Sequence, residues 1–370
     1  MRLCLIMDFT PPISARSDRV LRSHQPFDDR SGLIRMDRNE DVAAWEPDRL
    51  NDLLAGFSPS DLAAYQDADS LEAKIAEWRG CQPGSILVTA GSSEALGLVF
   101  ETYVDEGDTI VGLEPSYGLY EVFSAKCGGR YIGIPYDGNL NLDVTTFMNQ
   151  IRVQAPSLVV VANPNQPTGG YLSSSDLRLL ATESLSSGAV LLVDEAYFLF
   201  CDVTASDIIR SFPNLVVTQT FSKAFGLAGL RVGYCIASAE RIDEIQKLSG
   251  LTRSNALALR AAEYVLDNLS WAMTRVEEVR RGRRFLIEEL RKLRIKTFDS
   301  ATNFVLLDCK SVEDAESLKL AARTSGYAIR GPLRVAPVET CVRITAGPVR
   351  IMENFLHANL DAMQMHGRFT

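Results

Sequence analysis

Short β-rich apolar runs alternate with helical segments between residues 86 and 220, and this alternation limits the accessible folds more than any other feature. The predicted strands are Ile86–Thr89, Thr109–Leu113, Tyr131–Ile134, Leu158–Ala162, Val190–Val193 and Leu215–Thr220. The helices predicted between them are Ser93–Val104, Tyr117–Cys127, Ser175–Ser184 and a weaker one near 205–211. Such alternation favours a mainly parallel sheet with helices on both faces. We therefore predict an α/β fold.

The remaining segments predict a second, smaller domain. The chain has 370 residues, and a single hydrophobic core stops growing near ~250–300 residues. Helical periodicity marks 48–56, 70–80 and a long region from about 240 to 293, and the C-terminal part combines strands at 303–308 and 341–345 with helices at 312–325 and 349–364. We expect an irregular N-terminal arm that packs with the small domain or a partner subunit (1–45), a large domain (46–250), and a long connecting helix with a small C-terminal domain (251–370).

Charge, cysteine content and hydropathy limit the partners and the cellular compartment of the chain. The net charge of −9 argues against nucleic acid and anionic membranes. Seven dispersed cysteines without a CxxC pair are typical of reduced thiols in a cytoplasmic protein. The N-terminal apolar run is too short for a secretory signal, and no stretch approaches the ~18 apolar residues of a membrane span.

Histidine chemistry is also disfavoured. The three histidines, His24, His357 and His366, are far apart in the sequence. Neither a histidine-based metal site nor a Ser/His/Asp triad is expected, so we predict no metal. If the chain is an enzyme, its general base is another residue.

The segment after the first predicted strand suits an anion. Ligands of open parallel sheets bind beyond the carboxyl ends of the strands. Gly91 allows a close backbone approach there, while Ser92 and Ser93 open a helix with exposed N–H groups. A plain serine N-cap with Glu94 in the first turn is an equally good interpretation. Gly-x-Gly-x-x-Gly and a Walker lysine are absent, which disfavours a nucleotide.

Two further segments could face a planar ligand. Tyr117, after the second strand, could lie flat on a ring, although a structural aromatic is the commoner use. The string Asn163-Pro-Asn-Gln-Pro-Thr-Gly169 contains two prolines and a glycine, which predict a rigid turn with amides aimed at a ligand.

Asp194-Glu-Ala-Tyr197 places an acid at the end of a buried strand. A buried carboxylate is costly without a cationic partner, and a protonated pyridine nitrogen would supply one. Tyr197 could then reach a ring hydroxyl. The same Asp-Glu pair occurs on ATPase strands, but this chain lacks the phosphate loop of an ATPase.

Lys223 lies between a hydroxyl-bearing segment and a glycine-broken apolar run that ends at Arg231. Loss of hydration lowers a lysine pKa toward neutrality, and neutral amines attack carbonyls. Ser222 and Arg231 could hold a phosphate. Pyridoxal phosphate carries both an aldehyde and a phosphate. Taken alone, this segment is better explained by an ordinary surface lysine.

In this order, the strings resemble the fold-type I pyridoxal-phosphate enzymes of the aspartate aminotransferase superfamily, from about residue 35 to residue 365. The similarity is closest to the histidinol-phosphate aminotransferase branch, through Ser222–Gly233, Asp194–Tyr197, Pro115–Tyr120 and Val342–Gly347. The resemblance implies a large cofactor-binding domain with a mainly parallel seven-stranded sheet, a smaller α/β domain, and pyridoxal 5'-phosphate as cofactor.

Residue roles follow from the resemblance. Lys223 would form the Schiff base and move the substrate proton, Asp194 would pair with the pyridine nitrogen, Tyr197 with the ring oxygen, and Tyr117 would stack on the ring. The phosphate would be held by Ser92, Ser93, Thr220, Ser222 and Arg231, and by Tyr65 of the neighbouring subunit of a homodimer. Arg343 would bind the acidic group of the substrate, with Arg330 or Arg334 as a second arginine, and Asn39 would line the substrate pocket.

The chain departs from the family pattern at two places. The family usually has asparagine directly before Pro-Thr-Gly, whereas this chain has Gln166, so Gln166, Asn165 or Asn163 would contact the ring oxygen. The family's Asn-Glu-Asn-Pro-Tyr becomes Asn39-Glu-Asp-Val-Ala-Ala-Trp45, in the segment that lines the substrate pocket.

Three functions are compatible with these features. An aminotransferase acting on an amino acid or phosphorylated amino compound is favoured by the set Asp194, Lys223, Arg231 and Arg343. A decarboxylase of the threonine-phosphate type shares nearly all the motifs. A regulator using the same fold as a sensor is disfavoured, since residues 1–35 are too short for a DNA-binding domain.

Overall fold

The computed structural model describes residues 14–20, 28–250 and 254–367. Within these residues, the strands are β1 (Ile34–Met36), β2 (Ile86–Thr89), β3 (Thr109–Glu114), β4 (Arg130–Pro135), β5 (Leu158–Ala162), β6 (Val190–Asp194), β7 (Leu215–Thr220), β8 (Gly233–Ile236), β9 (Thr297–Phe298), β10 (Phe304–Asp308), β11 (Tyr327–Ile329) and β12 (Cys341–Thr345). The helices are α1 (Ala15–Asp18), α2 (Pro47–Ala55), α3 (Pro59–Ala63), α4 (Asp69–Arg79), α5 (Ser92–Tyr103), α6 (Leu119–Cys127), α7 (Val144–Gln154), α8 (Ser174–Ser186), α9 (Ala239–Gln246), α10 (Ala256–Asp267), α11 (Leu269–Lys292), α12 (Val312–Thr324) and α13 (Val349–Gly367), with 3₁₀ helices at Phe198–Phe200 and Ala205–Ser211.

The large sheet has seven strands in the order β2-β8-β7-β6-β5-β3-β4. All neighbouring strands are parallel except β8, which is antiparallel to both β2 and β7. The predicted α/β fold with a mainly parallel seven-stranded sheet is therefore confirmed.

The sequence does not predict β8, because Gly233-Tyr-Cys-Ile236 is only four residues long and begins with glycine, which is uncommon in strands. Gly233 begins this strand, and a Cβ added there would lie 2.5 Å from the backbone nitrogen of Ser92. The glycine thus lets β8 pack directly against the start of α5.

Helices cover both faces of the sheet, so its central strands are buried on both sides. In β5, Val159 and Val161 pack in one apolar cluster, while Leu158 and Val160 pack in another on the opposite face. Successive strand residues point to opposite faces, and full burial of each such side chain contributes about 1.5–3 kcal/mol. This packing explains why these strands read as continuous apolar runs.

The C-terminal part contains a three-stranded antiparallel sheet, β12-β10-β9, packed against α11 and α13. Separately, β1 pairs in parallel with β11, so residues 34–36 join this part of the molecule. The described part of the predicted arm thus contains the short helix α1 and the strand β1, and its residues 1–13 and 21–27 lie outside the described residues.

Three predicted helices need correction. The helical region from 240 to 293 consists of α9, α10 and α11, and α10 begins after Asn255, whose side chain accepts from the Ala258 N–H. Residues 251–253 lie outside the described part. The helix predicted from Tyr117 begins at Leu119, which leaves Tyr117 in the loop after β3. The weak helix near 205–211 is a 3₁₀ helix. No helix in the described ranges is long and apolar enough to cross a membrane.

Candidate active site

A cavity of about 880 Å³ opens at the carboxyl edge of the large sheet. Segments that follow β2, β3, β5, β6 and β7 line it, together with residues near β12 and the segment after β1. It brings together most of the side chains predicted from the sequence: Ser92, Ser93, Tyr117, Gln166, Asp194, Tyr197, Thr220, Ser222, Lys223, Arg231, Arg330 and Arg343.

Lys223 follows β7 and directs its amine into this cavity, where Nζ donates to the backbone oxygen of Arg38 at 2.9 Å. Burial lowers the pKa of the amine to about 8, helped by the positive charges of Arg343 and Arg231 and opposed by Glu40. A pKa of about 8 leaves about a tenth of the amine neutral at pH 7, against fewer than ~1 in 1,000 for an ordinary lysine. Lys223 is therefore a usable nucleophile and base.

Asp194 ends β6 and is 4% exposed. Its carboxylate accepts from Tyr120 Oη at 2.8 Å and from Thr218 Oγ1 at 3.3 Å. Burial raises its pKa to about 6, and these hydrogen bonds only partly offset the effect. Among the described side chains, no lysine, arginine or histidine forms an ion pair with it. A cavity-lining carboxylate without a cation suits the protonated nitrogen of an aromatic ring.

The start of α5 and Arg231 form an anion-binding corner. Gly91 occupies the N-cap position at φ 84°, so neither serine caps this helix, and a Cβ at Gly91 would lie 2.5 Å from Arg231 Nη2. Arg231 Nη1 donates to Ser222 Oγ at 3.3 Å, and Thr220 Oγ1 donates to the same oxygen at 2.9 Å. A helix N-terminus beside a guanidinium group suits a phosphate.

Tyr197, Gln166 and Asn39 form a hydrogen-bonded cluster. Tyr197 Oη donates to Gln166 Oε1 at 2.5 Å, and Asn39 Nδ2 donates to both Tyr197 Oη (2.6 Å) and Gln166 Oε1 (3.1 Å). Burial raises the pKa of Tyr197 to about 12, so its hydroxyl stays protonated.

Gln166 lines the cavity, whereas the two nearby asparagines have local partners. Asn163 Oδ1 accepts from the Leu172 N–H at 2.7 Å, and Asn165 Nδ2 donates to the Pro115 carbonyl at 3.0 Å. Both asparagine side chains support the turn, which leaves Gln166 as the amide that faces the cavity.

Arg330 and Arg343 sit opposite each other on adjacent backbone segments, which exchange two hydrogen bonds of 2.7 and 3.0 Å. Arg343 is 7% exposed, and its Nη2 donates to the Asp37 carbonyl at 3.0 Å. Its Nε has no hydrogen-bond partner among the described residues. Burial lowers the pKa of Arg343, with the charge of Arg330 acting in the same direction. Arg334 is instead paired with Glu316 at 2.8 Å, outside the cavity lining.

Two predicted site residues lie elsewhere. Asn39 is 1% exposed and lies behind Tyr197 and Gln166. Tyr65 is 90% exposed, on the surface of this chain and outside the cavity lining.

Sequence reasoning missed Tyr120 and the backbone of residues 37 and 38. Tyr120 is fully buried, its ring lies 5.8 Å from that of Tyr117, and its hydroxyl holds Asp194. The signal available was a second tyrosine three residues after Tyr117, but the partner of Tyr120 lies 74 residues away in the sequence. The contacts made by the backbone carbonyls of Asp37 and Arg38 could not be predicted from the sequence, since every residue has such a carbonyl.

Taken together, the cavity presents an amine, a carboxylate without a cation, a protonated tyrosine and an anion-binding corner. These groups match the aldehyde, ring nitrogen, ring oxygen and phosphate of pyridoxal phosphate. The close approach of Arg231 to Gly91, which a Cβ would block, supports this fit at the phosphate end.

Known proteins match most of the chain. The family model described as aminotransferase class I and II matches residues 41–358. A histidinol-phosphate aminotransferase of Thermoanaerobacter pseudethanolicus is 32% identical over 314 residues, which span 84% of this chain and 88% of the relative.

Solved structures share the fold at lower identity. Histidinol-phosphate aminotransferase from Sinorhizobium meliloti, in complex with pyridoxal-5'-phosphate, has a TM-score of 0.79 at 24% identity, covering 90% of this chain and 91% of that one. L-threonine-O-3-phosphate decarboxylase from Porphyromonas gingivalis has a TM-score of 0.76 at 22% identity, covering 89% and 99%. At these identities the structural likeness establishes the fold alone.

Proposed function

The chain belongs to the aminotransferase class I and II family and is a pyridoxal-phosphate-dependent enzyme that transfers amino groups, and we propose that its amino substrate is histidinol phosphate or a similar phosphorylated amine. The observation that carries this proposal is the Arg330–Arg343 pair, in which the buried Arg343 Nε has no hydrogen-bond partner in the described part of the chain.

We propose that the cavity residues hold the cofactor as follows. Asp194 pairs with the ring nitrogen, and Tyr117 covers the ring. Tyr197 and Gln166 lie beside the ring oxygen, with the Gln166 amide as the donor, since the single Tyr197 proton is donated to Gln166 Oε1. The phosphate is held by the start of α5 and by the hydroxyls and guanidinium group of Ser92, Ser93, Thr220, Ser222 and Arg231.

When bound, pyridoxal phosphate supplies an aldehyde that condenses with amines and a ring that accepts the electrons of a broken bond at the substrate Cα. Lys223 Nζ, whose pKa of about 8 provides a neutral fraction at pH 7, would take the proton from the substrate Cα and return it to the cofactor carbon C4′, which carries the aldehyde oxygen. Asp194, kept ionised by a cationic partner, maintains the proton on the ring nitrogen. Tyr120 orients Asp194 for this contact.

Substrate selection in this proposal depends on charge. Two neighbouring guanidinium groups suit a dianion such as a phosphate, because bidentate contacts to two oxygens are charge-assisted. Glu114 and Glu121 also line the cavity, and they favour a substrate with a positively charged or imidazole group at its other end. Histidinol phosphate has both features.

Single-turnover measurements with the cofactor-loaded enzyme test this proposal. Histidinol phosphate should convert the bound cofactor from its aldehyde to its amine form, while histidinol, which lacks the phosphate, should react with a far higher half-saturating concentration. Equal reaction with the two amines would contradict the role of the arginines. Release of carbon dioxide from an amino acid phosphate would favour a decarboxylase instead.

We further propose a cytoplasmic homodimer with shared active sites. The described cysteines are unpaired thiols, which suits a reducing compartment. Exposed apolar side chains occur on α2, on α3 and in the loop after it, namely Leu50, Leu54, Leu62 and Tyr65. Such a patch favours a protein interface, and Tyr65 could reach the phosphate of the neighbouring subunit.

Subunit complementation tests the shared site. The variants Tyr65→Ala and Lys223→Ala should each be weakly active or inactive alone. Mixed and allowed to exchange subunits, they should regain activity, since a hybrid dimer has one site with both defects and one with neither. No recovery in hybrids verified by mass would contradict a contribution of Tyr65 across the interface.

A further inference from the structure

Asn39 occupies a backbone conformation that few side chains adopt. Its φ is 55°, in the left-handed region, where asparagine is tolerated better than most residues. The side chain is 1% exposed and lies between the C-terminal part of the molecule and the cavity wall.

The hydrogen bonds of Asn39 determine which end of its amide faces the cavity wall. Its backbone N–H donates to Thr345 Oγ1 at 3.1 Å, and its carbonyl accepts from Asn303 Nδ2 at 3.1 Å. Thr345 Oγ1 donates to Asn39 Oδ1 at 3.4 Å. Since Oδ1 is turned to Thr345, Nδ2 is the end that meets Tyr197 and Gln166.

Gln166 receives two donors on a single atom. Asn39 Nδ2 and Tyr197 Oη both donate to Gln166 Oε1, at 3.1 and 2.5 Å. An amide whose oxygen is held by two donors keeps its NH₂ group at the opposite end. Gln166 lines the cavity, so this NH₂ group is the polar end left for a ligand.

We propose that Asn39 is a positioning residue that fixes the amide of Gln166 so that Nε2 donates to the ring oxygen of pyridoxal phosphate. The inference rests on the cofactor placement proposed above. This role explains how Gln166 can replace the shorter asparagine of the family pattern. The glutamine side chain has one more methylene and therefore more freedom, and the hydrogen bonds from Asn39 and Tyr197 restrict it.

Asn39→Asp should reverse the amide. The aspartate side chain only accepts hydrogen bonds, so Gln166 would turn its Nε2 toward residue 39 and its Oε1 toward the ring oxygen. The ring oxygen would lose a donor and face a lone pair. A lost donor makes that oxygen a stronger base, so the midpoint pH of the visible absorption change of the bound cofactor should rise by about one unit.

Asn39→Gly is the second variant, because glycine accepts the positive φ without strain. It removes the anchor without reversing the amide, so its midpoint should lie between those of wild type and Asn39→Asp. In a Gln166→Leu background, Asn39→Asp should produce no further shift, since the group it acts through is gone.

Asn303→Ala is the matched control. It removes another hydrogen bond to Asn39, on the backbone carbonyl, without touching Gln166. A shift in Asn303→Ala as large as in Asn39→Asp, or an undiminished shift in the Gln166→Leu background, would overturn the positioning role. Absence of any visible cofactor band in the wild type would instead refute the cofactor placement, which keeps the two failures distinct.

Discussion

Gly91→Ala should separate the phosphate-binding role of Arg231 from general stability. Gly91 has φ 84° and ψ 163°, a region that is essentially restricted to glycine. An alanine Cβ there would lie 2.5 Å from Arg231 Nη2 and 3.1 Å from Cζ, so the guanidinium group must move. The substitution therefore combines backbone strain with a displaced cation.

The two effects are of similar size but are measured by different assays. Backbone strain costs about 1–3 kcal/mol of the free energy of unfolding, measured by urea denaturation of the cofactor-free protein. Loss of one charge-assisted hydrogen bond to phosphate costs about 1.5–3 kcal/mol, which weakens pyridoxal phosphate binding roughly 10- to 150-fold in a spectral titration.

Gly107→Ala is the control for strain alone. Gly107 has φ 92°, and a Cβ there would lie within 4 Å of no atom of the described residues. This variant should lose stability and bind the cofactor like the wild type. If Gly91→Ala behaved in the same way, with unchanged cofactor affinity, Arg231 would not hold the phosphate and the reasoning would fail.

Three further predictions follow from the site. Asp194→Asn should slow the half-reaction with amine on the order of 10- to 100-fold, since a neutral amide cannot keep the ring nitrogen protonated; stopped-flow rates at fixed cofactor occupancy check this. Cofactor-free Lys223→Met should be more stable than wild type by about 1–3 kcal/mol at pH 7. The folded-state pKa of Lys223 is lowered from 10.5 to about 8, so its penalty is present below pH ~8 and gone above ~10.5, and the difference in urea stability should shrink across that window. Arg343→Ala should raise the KM for a phosphorylated amine at least tenfold, with a smaller change for Arg343→Lys, and equal KM values for all three enzymes would exclude Arg343 from substrate binding.

Most of the fold is readable from local sequence because its strands are buried on both faces. Continuous apolar runs such as Leu158–Ala162 are typical of strands in a parallel sheet that is covered on both faces. The antiparallel strand β8 is different: its place beside β2 depends on Gly233 passing the start of α5, a contact between residues over 140 positions apart. Local patterns contain no such information.

The site residues also differ in whether local sequence predicts their position. Asp194 ends a strand, and Tyr197 and Lys223 come three residues after strand ends, so the topology of a parallel sheet brings all three to one edge. Tyr120 and Asn39 act through Asp194 and Tyr197, which are far away in the chain, and the residues next to Tyr120 and Asn39 do not predict those contacts.

By itself, the sequence determined the fold class, the family and most of the side chains at the carboxyl edge of the sheet, because residue type and the alternation of strands and helices along the chain are local properties. Only the tertiary structure decided that Gln166 rather than Asn163 or Asn165 faces the cavity, that Arg330 rather than Arg334 accompanies Arg343, and that Asn39 holds the Gln166 amide. These choices depend on hydrogen bonds and burial between distant segments, and folding alone brings those segments together.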